Sequence, residues 1–315
     1  MSNIKELVEL VGNRCVYIQT HNFPDHDAVA SAFGLQEVLD KLGIKSHIVY
    51  EGEIQRDSLK TMIRELHIEV NHYKKFNLDS EDIIVIVDAC KGNSNICNLP
   101  CHIIGIIDHH DVKIQDDVEY NDIRPNTGAC SSIIFSYFSE LGLCISKEVA
   151  SALLIGLNMD TALMTRGVSK FDIEAYSELY YTSNIHLVNQ VLRNIIQTKE
   201  LSFYRYAIDN VKINNSVAFC YFAEGCNQNL LGVLGDFLLA LVEIDFVILC
   251  ANNCGKINFS IRNEREEWNA SEILQKALEG IGLGGGHCNM AGGIITDFSL
   301  FNEEKIYESF MTLLK

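Results

Sequence analysis

Four apolar runs rich in β-formers mark the first 110 residues: RCVYIQT (14–20), SHIVYEG (46–52), DIIVIVDA (82–89) and HIIGIIDHH (102–110). Near-continuous apolar runs of this length suit strands buried on both faces. Between the first two, AVASAFGLQEVLDKL (28–42) places its apolar positions at helical spacing and closes on Gly43 as a C-cap. Residues 129–142 and 147–159 read as consecutive helices, and 170–196 adds one or two more. Buried strands alternating with helices predict a doubly wound, mostly parallel sheet.

The pattern changes near 197–216, a polar and aromatic segment. Beyond it come the strand VAFCYFAEG (217–225), a helical run (230–242), the strands DFVILCANN and KINFSIRNE, and a helix near 270–280. The loop IGLGGGHCNMAGGII and a terminal helix complete the chain. The fold class is therefore α/β: a first domain over 1–190, a partly helical linker over 191–212, and a smaller α/β domain over 213–315.

Composition adds limits. Hydrophobic residues make up 48% and charged residues 21%, with only three prolines, which is ordinary for globular protein with ample core. No apolar stretch follows a basic N-terminal region, and no run approaches the roughly 18 apolar residues of a membrane span, so a soluble, cytoplasmic protein is expected. The eleven cysteines are odd in number, and Cys15, Cys90, Cys220 and Cys250 lie inside apolar runs, where a reduced thiol acts as a small hydrophobe. Cys97/Cys101 and Cys250/Cys254 have C-x3-C spacing but no matching second pair, which argues against zinc. A net charge of −17 argues against a basic groove that tracks long nucleic acid. It leaves room for a small anionic substrate held by metal ions.

The strand ends carry the chemistry. The first strand is followed by His21, Asp25 and Asp27; the third ends in Asp88, and the fourth in Asp108, His109 and His110. The piece GLNMDTALMT puts Asp160 at the end of an apolar helix. Singly, Asp25 or Asp27 reads as an N-cap, Asp88 as a turn residue, and His21 as a core or surface histidine. In a parallel sheet, however, these ends share the edge where open α/β sheets bind ligands. Several carboxylates gathered there need compensating cations. Asp and His without thiolate suit Mn²⁺ or Mg²⁺, and about six ligands suit two ions of the kind that promote phosphoryl displacement.

HNFPDHDAVAS, VDAC, IDHH and NMDT, in this order, resemble the four motifs of the DHH phosphoesterase superfamily. FSIRNE followed by GLGGGHCNMAGG resembles the GGGH signature of the DHH-associated C-terminal domain. The likeness covers nearly the whole chain and is nearest to the nanoRNase / pAp-phosphatase (oligoribonuclease-like) branch. Family II pyrophosphatases share the first domain but lack the GGGH segment.

The resemblance implies an active site in the cleft between the two domains, with two divalent ions, Mn²⁺ before Mg²⁺. It places His21, Asp25, Asp88 and Asp160 on one ion, and Asp27, Asp88 and His109 on the other, with Asp88 as the bridge. It implies that Asp108 orients the site and that His110 points at the scissile phosphate. Gly284, Gly285 and Gly286 let backbone N–H groups approach a phosphate and His287 adds a donor, or they form a flexible loop before a strand. Arg262 either forks onto a phosphate or pairs with Glu264, Glu266 or Glu267. NTGACSS (126–132) offers a helix N-terminus to an anion or an ordinary cap. The fourth motif lacks the glycine and aromatic that often follow DT, and Met290 and Gly292 replace small alanines.

The activity implied is hydrolysis of short oligonucleotides to mononucleotides, with pAp as a further substrate. Cyclic or linear dinucleotides and inorganic polyphosphate are alternatives, and a non-catalytic nucleotide sensor is the alternative of another class. No long nucleic acid or membrane partner is expected. The apolar helices of 129–157 make a homodimer plausible.

Overall fold

The computed structural model describes residues 4–93, 95–193 and 196–314. It divides into two units, Met1–Ile195 and Ile196–Lys315. The apolar runs of the first unit become the parallel strands β1 (Val16–Gln19), β2 (Ser46–Tyr50), β4 (Ile83–Val87) and β5 (His102–Asp108), and every residue of β4 is buried. Two short strands, β3 (Val70–His72) and β6 (Tyr120–Ile123), flank them at the edges. The order is β3-β2-β1-β4-β5-β6, with every pairing parallel. From β1 the chain builds outward through β2 and β3, then returns to β4 on the other side. Ligands bind at such a reversal, beyond the carboxyl ends of the two adjacent strands.

The helices of this unit are α1 (Ile4–Val11), α2 (His26–Lys41), α3 (Asp57–Glu65), α4 (Cys130–Leu141), α5 (Lys147–Asp160), α6 (Lys170–Thr182) and α7 (Ile185–Arg193). The unbroken buried run from Val149 to Asn158 shows α5 enclosed nearly all round. Gly142, in the left-handed region at φ 65°, ends α4, where such a conformation favours glycine.

The second unit contains α8 (Leu201–Asn210), β7 (Lys212–Asn214), β8 (Val217–Phe222), α9 (Gln228–Leu239), β9 (Phe246–Asn253), β10 (Lys256–Asn263), α10 (Ala270–Ala277), β11 (Leu283–Gly286), β12 (Met290–Ile295) and α11 (Glu303–Leu313). Its sheet runs β11-β12-β10-β9-β8-β7 and is antiparallel except between β8 and β9. Alternation along β9 feeds two cores: Phe246, Ile248 and Cys250 on one face, Val247, Leu249 and Ala251 on the other. Of the segment expected as a linker, residues 201–210 form α8, whose Ala207 is buried beside Ala218 and Cys220. Residues 194 and 195 of that segment lie outside the described residues.

The glycine segment expected as a loop is a correction. Residues 283–286 pair with 291–294 as the hairpin β11–β12, and only residues 287–289 turn. Close packing explains it. A Cβ on Gly286, at φ 146°, would lie 2.4 Å from the Met290 carbonyl oxygen, and one on Gly284 would lie 2.8 Å from Leu274. Among the described residues, no helix is long and apolar enough to cross a membrane.

Candidate metal centre

The loop after β1 carries His21 and Asp25 and runs into α2, which begins with His26 and Asp27. Asp25 is the N-cap of α2, its Oδ1 accepting from the Ala28 N–H at 3.1 Å. Asp27 faces a different helix. Its carboxylate accepts the N–H groups of Cys130 (2.7 Å) and Ser131 (2.9 Å) and the Ser131 hydroxyl, all at the start of α4. The helix N-terminus in NTGACSS therefore has its anion, and that anion is Asp27. Gly156 on α5 makes room: a Cβ there would lie 2.4 Å from Ser131 Oγ and 2.8 Å from Asp27 Oδ1.

Asp88, directly after β4, adopts φ 57°, a conformation that Asp tolerates better than β-branched residues. Its N–H is held by the Ile107 carbonyl of β5 at 2.9 Å. From this position the carboxylate faces both ways: Oδ2 lies 3.8 Å from His21 Nε2, and Oδ1 lies 3.4 Å from His109 Nε2. His21 Nε2 is also 3.8 Å from Asp25 Oδ1, and His109 Nε2 is 3.1 Å from Asp160 Oδ2.

Two ligand sets result. His21, Asp25 and Asp88 form one; Asp27, Asp88, His109 and Asp160 form the other, and Asp88 belongs to both. Asp160, expected with His21 and Asp25, groups with Asp27 and His109. Asp88, His109 and His110 form a third, overlapping group.

The electrostatics require cations. Burial, then the charges of Asp88 and Asp160, hold Asp27 well above the usual carboxylate range. Burial, with the charges of Asp25 and Asp160 and against the adjacent His109 ring, raises Asp88 to about 6. Burial opposes the charging of His21, but the adjacent carboxylates of Asp25 and Asp88 prevail and lift it to about 10. For His109, Asp160 and Asp88 likewise outweigh burial and lift it to about 12. Burial would raise Asp25, yet the adjacent His21 ring holds it low. Protons on the two histidines thus stand where cations belong.

The donors fit two divalent cations. Asp88 Oδ1 and His109 Nε2 are buried without a hydrogen-bond partner among the described residues. The other ring nitrogens are already engaged: His21 Nδ1 lies 2.9 Å from the Asn22 carbonyl, and His109 Nδ1 lies 3.1 Å from the Thr127 carbonyl. Such bonds leave Nε2 as the ligand atom. Four carboxylates in the two sets match the charge of two divalent ions, and oxygen with imidazole suits Mn²⁺ or Mg²⁺. No cysteine joins these groups; all eleven are free thiols.

Asp108, fully buried, belongs to none of the ligand groups. Its Oδ1 holds His110 Nδ1 at 2.7 Å and the His110 N–H at 3.2 Å. That bond is the main reason His110 titrates above an ordinary histidine.

In the second unit, Arg262 on β10 pairs with Asp236 of α9 at 2.5 Å rather than with Glu264, Glu266 or Glu267. Its Nη1 also donates to Ser260 Oγ (3.2 Å) and to the Ile261 carbonyl (3.0 Å). Gly284, Gly285 and Gly286 lie on β11, the edge strand of the sheet. The His287 N–H closes the hairpin turn on the Met290 carbonyl at 2.7 Å.

Sequence reasoning missed the supports: Ser131 and Gly156 around Asp27, and the Thr127 carbonyl behind His109. It left NTGACSS out of the site. The pairing of an aspartate in the first turn of α2 with the distant start of α4 leaves no periodic signal.

Comparison with known proteins agrees with this geometry. A family model described as "DHH family, N-terminal domain" matches residues 15–157, and one described as "DHHA1 domain" matches residues 214–314. The chain is 32% identical over 279 residues to "Uncharacterized protein MJ1633" of Methanocaldococcus jannaschii, covering 88% of this chain and 57% of that protein. It is 31% identical over 151 residues to a "Probable manganese-dependent inorganic pyrophosphatase" of Clostridium acetobutylicum, covering 47% and 48%. It is 23% identical over 321 residues to the "Cyclic-di-AMP phosphodiesterase PdeA" of Listeria monocytogenes, covering 92% and 46%. The chain thus spans about half the length of these curated relatives. Among solved structures, an "exopolyphosphatase-related protein" from Bacteroides fragilis shares the fold at a TM-score of 0.76, with 21% identity over 95% of this chain and 91% of that one. The chain belongs to the DHH superfamily, with a DHH N-terminal domain followed by a DHHA1 domain.

Proposed function

We propose that this protein is a two-metal phosphoesterase that hydrolyses short oligonucleotides to mononucleotides, with pAp as a further substrate. The observation that carries the reading is Asp88, whose two oxygens face the two ligand sets from opposite sides. Divalent cations bound there would lower the pKa of a water and screen the charge of a phosphoryl group undergoing in-line displacement.

The chain's own residues do the rest. His21 and Asp25 would hold one ion, and Asp27, His109 and Asp160 the other, with Asp88 common to both. Asp108 orients His110 and favours its protonated form, so that the ring would serve as a proton donor to a phosphoryl or leaving-group oxygen. On β11, an edge strand, alternate N–H groups of Gly284, Gly285 and Gly286 point away from the sheet, and a Cβ built on Gly285 meets nothing within 4 Å. We assign phosphate binding to these N–H groups, with His287 as a further donor and Arg262 as a cationic one. The net charge of −17 supports a small substrate over a long strand.

A second reading, a phosphodiesterase for cyclic or linear dinucleotide messengers, is favoured by the likeness to PdeA across 92% of the chain. One panel separates the two. A labelled RNA dinucleotide, a long oligoribonucleotide, pAp, cyclic di-AMP, pyrophosphate and polyphosphate are each incubated with Mn²⁺, Mg²⁺ or EDTA. Metal-dependent turnover of the RNA dinucleotide, and not of the long strand, is expected. Turnover of cyclic di-AMP in preference moves the assignment to the second reading, and turnover of only the inorganic substrates refutes both.

A further inference from the structure

Phe23 stands between two metal ligands, in the run His21-Asn22-Phe23-Pro24-Asp25. Its backbone is in the left-handed region at φ 54°, uncommon for a bulky residue, and it precedes a proline, which further narrows its conformations. More than half of the residue (53%) is exposed. An exposed aromatic held in a strained conformation inside a ligand loop is costly unless the ring is used.

The surroundings show how the ring is held. The Phe23 N–H donates to the Glu51 carbonyl at 3.1 Å, tying the ligand loop to the segment after β2. The ring lies against Gly52, whose φ of 82° and missing side chain both matter: a Cβ there would come within 2.9 Å of the ring. The Glu51 carboxylate lies beside His72, with Nε2 and Oε2 3.3 Å apart. One side of the ring therefore lies against Gly52, and more than half of the residue is exposed.

We propose that Phe23 is a base-stacking residue, so that the substrate of this site carries a nucleobase beside the reacting phosphate. The inference rests on the phosphoesterase reading above and assigns a residue to the base of its substrate. Phe23 is two positions along the chain from each of His21 and Asp25, at most about 7 Å. A nucleotide spans a similar distance from phosphate to base. An apolar ring contributes nothing to the grip on pyrophosphate or polyphosphate, whereas a seated aromatic with an open face stacks any base.

The test is equilibrium binding of AMP and of ribose 5-phosphate to the Mn²⁺-loaded full chain, which needs no turnover. The wild type is expected to prefer AMP. Phe23→Ala and Phe23→Leu should lose that preference by roughly 5- to 150-fold, while Phe23→Tyr retains it. Affinity for ribose 5-phosphate and the Mn²⁺ stoichiometry should not change, which shows that the variants fold and hold metal. A preference that survives in Phe23→Ala overturns the proposal. So does an equal loss for both ligands, which would make Phe23 a prop for the loop. Absence of hydrolysis of the RNA dinucleotide would count against the phosphoesterase reading alone, because the binding preference is measured separately.

Discussion

Replacing Asp88 by asparagine separates what the carboxylate does for metal from what it does for the fold. Asp88 is held at about 6 against an ordinary value of 3.8, a gap of about two units. At about 1.4 kcal/mol per unit, carrying this charge in the metal-free folded chain costs about 3 kcal/mol. The sign follows from linkage: the folded state binds the Asp88 proton more tightly than the unfolded state. This cost is therefore absent at low pH, grows as pH rises from about 4 to about 6, and is fully present above that. Asparagine has nearly the same shape and no charge. In EDTA at about pH 8, Asp88→Asn should therefore melt higher than wild type by several degrees, roughly 2–4 °C per kcal/mol in a domain of this size. With Mn²⁺ the order should reverse, because only the wild type has the full ligand sets and gains from ion binding. The assay is thermal unfolding with and without Mn²⁺, with metal content measured on the same samples. An asparagine variant that is less stable in EDTA and still holds two ions would refute the reasoning, because Asp88 would then be a structural residue.

The remaining predictions address the supports. Asp108→Asn removes the main cause of the raised His110 pKa. If the His110 imidazolium is needed, the alkaline limb of the pH–rate profile should move to lower pH, while Mn²⁺ binding changes little. An unmoved limb would exclude His110 as the proton donor. Gly156→Ala should push Ser131 and Asp27 aside, since the new Cβ would fall 2.8 Å from Asp27 Oδ1. Mn²⁺ affinity should drop by about 10- to 100-fold, as for lost support behind metal ligands elsewhere. A titration matching wild type, in a variant with an unchanged far-UV spectrum, would show that Asp27 is not a ligand. Gly285→Ala meets open space and should leave the melting temperature unchanged. Gly286→Ala must clear a contact of 2.4 Å and should lower it.

How far the sequence could be read depended on the kind of signal. β4 and β5 were legible because their apolar residues are consecutive, and only a sheet covered on both faces accepts that pattern. β3 (VNH) and β6 (YNDI) were not, because short edge strands with polar residues are defined by pairing with β2 and β5 rather than by their own composition. Convergence of His21, Asp25, Asp27, Asp88 and His109 followed from one rule, that parallel strands deliver their carboxyl ends to one edge. That rule says nothing about Asp160, which arrives on a helix, so its grouping with Asp27 and His109 needed coordinates. The glycines at 284–286 suggested a loop because glycine is common in loops. Here the missing side chains let β11 pack closely against β12 and α10. Arg262 shows the same limit: its partner, Asp236, lies 26 residues away on a helix.

The central claim is that Asp88 joins two metal sites, and diffraction from crystals grown with Mn²⁺, measured at the manganese absorption edge, tests it directly. The account predicts two anomalous peaks about 3.5–4 Å apart, each within bonding distance of an Asp88 oxygen. A single peak, or two peaks of which only one touches Asp88, would contradict it.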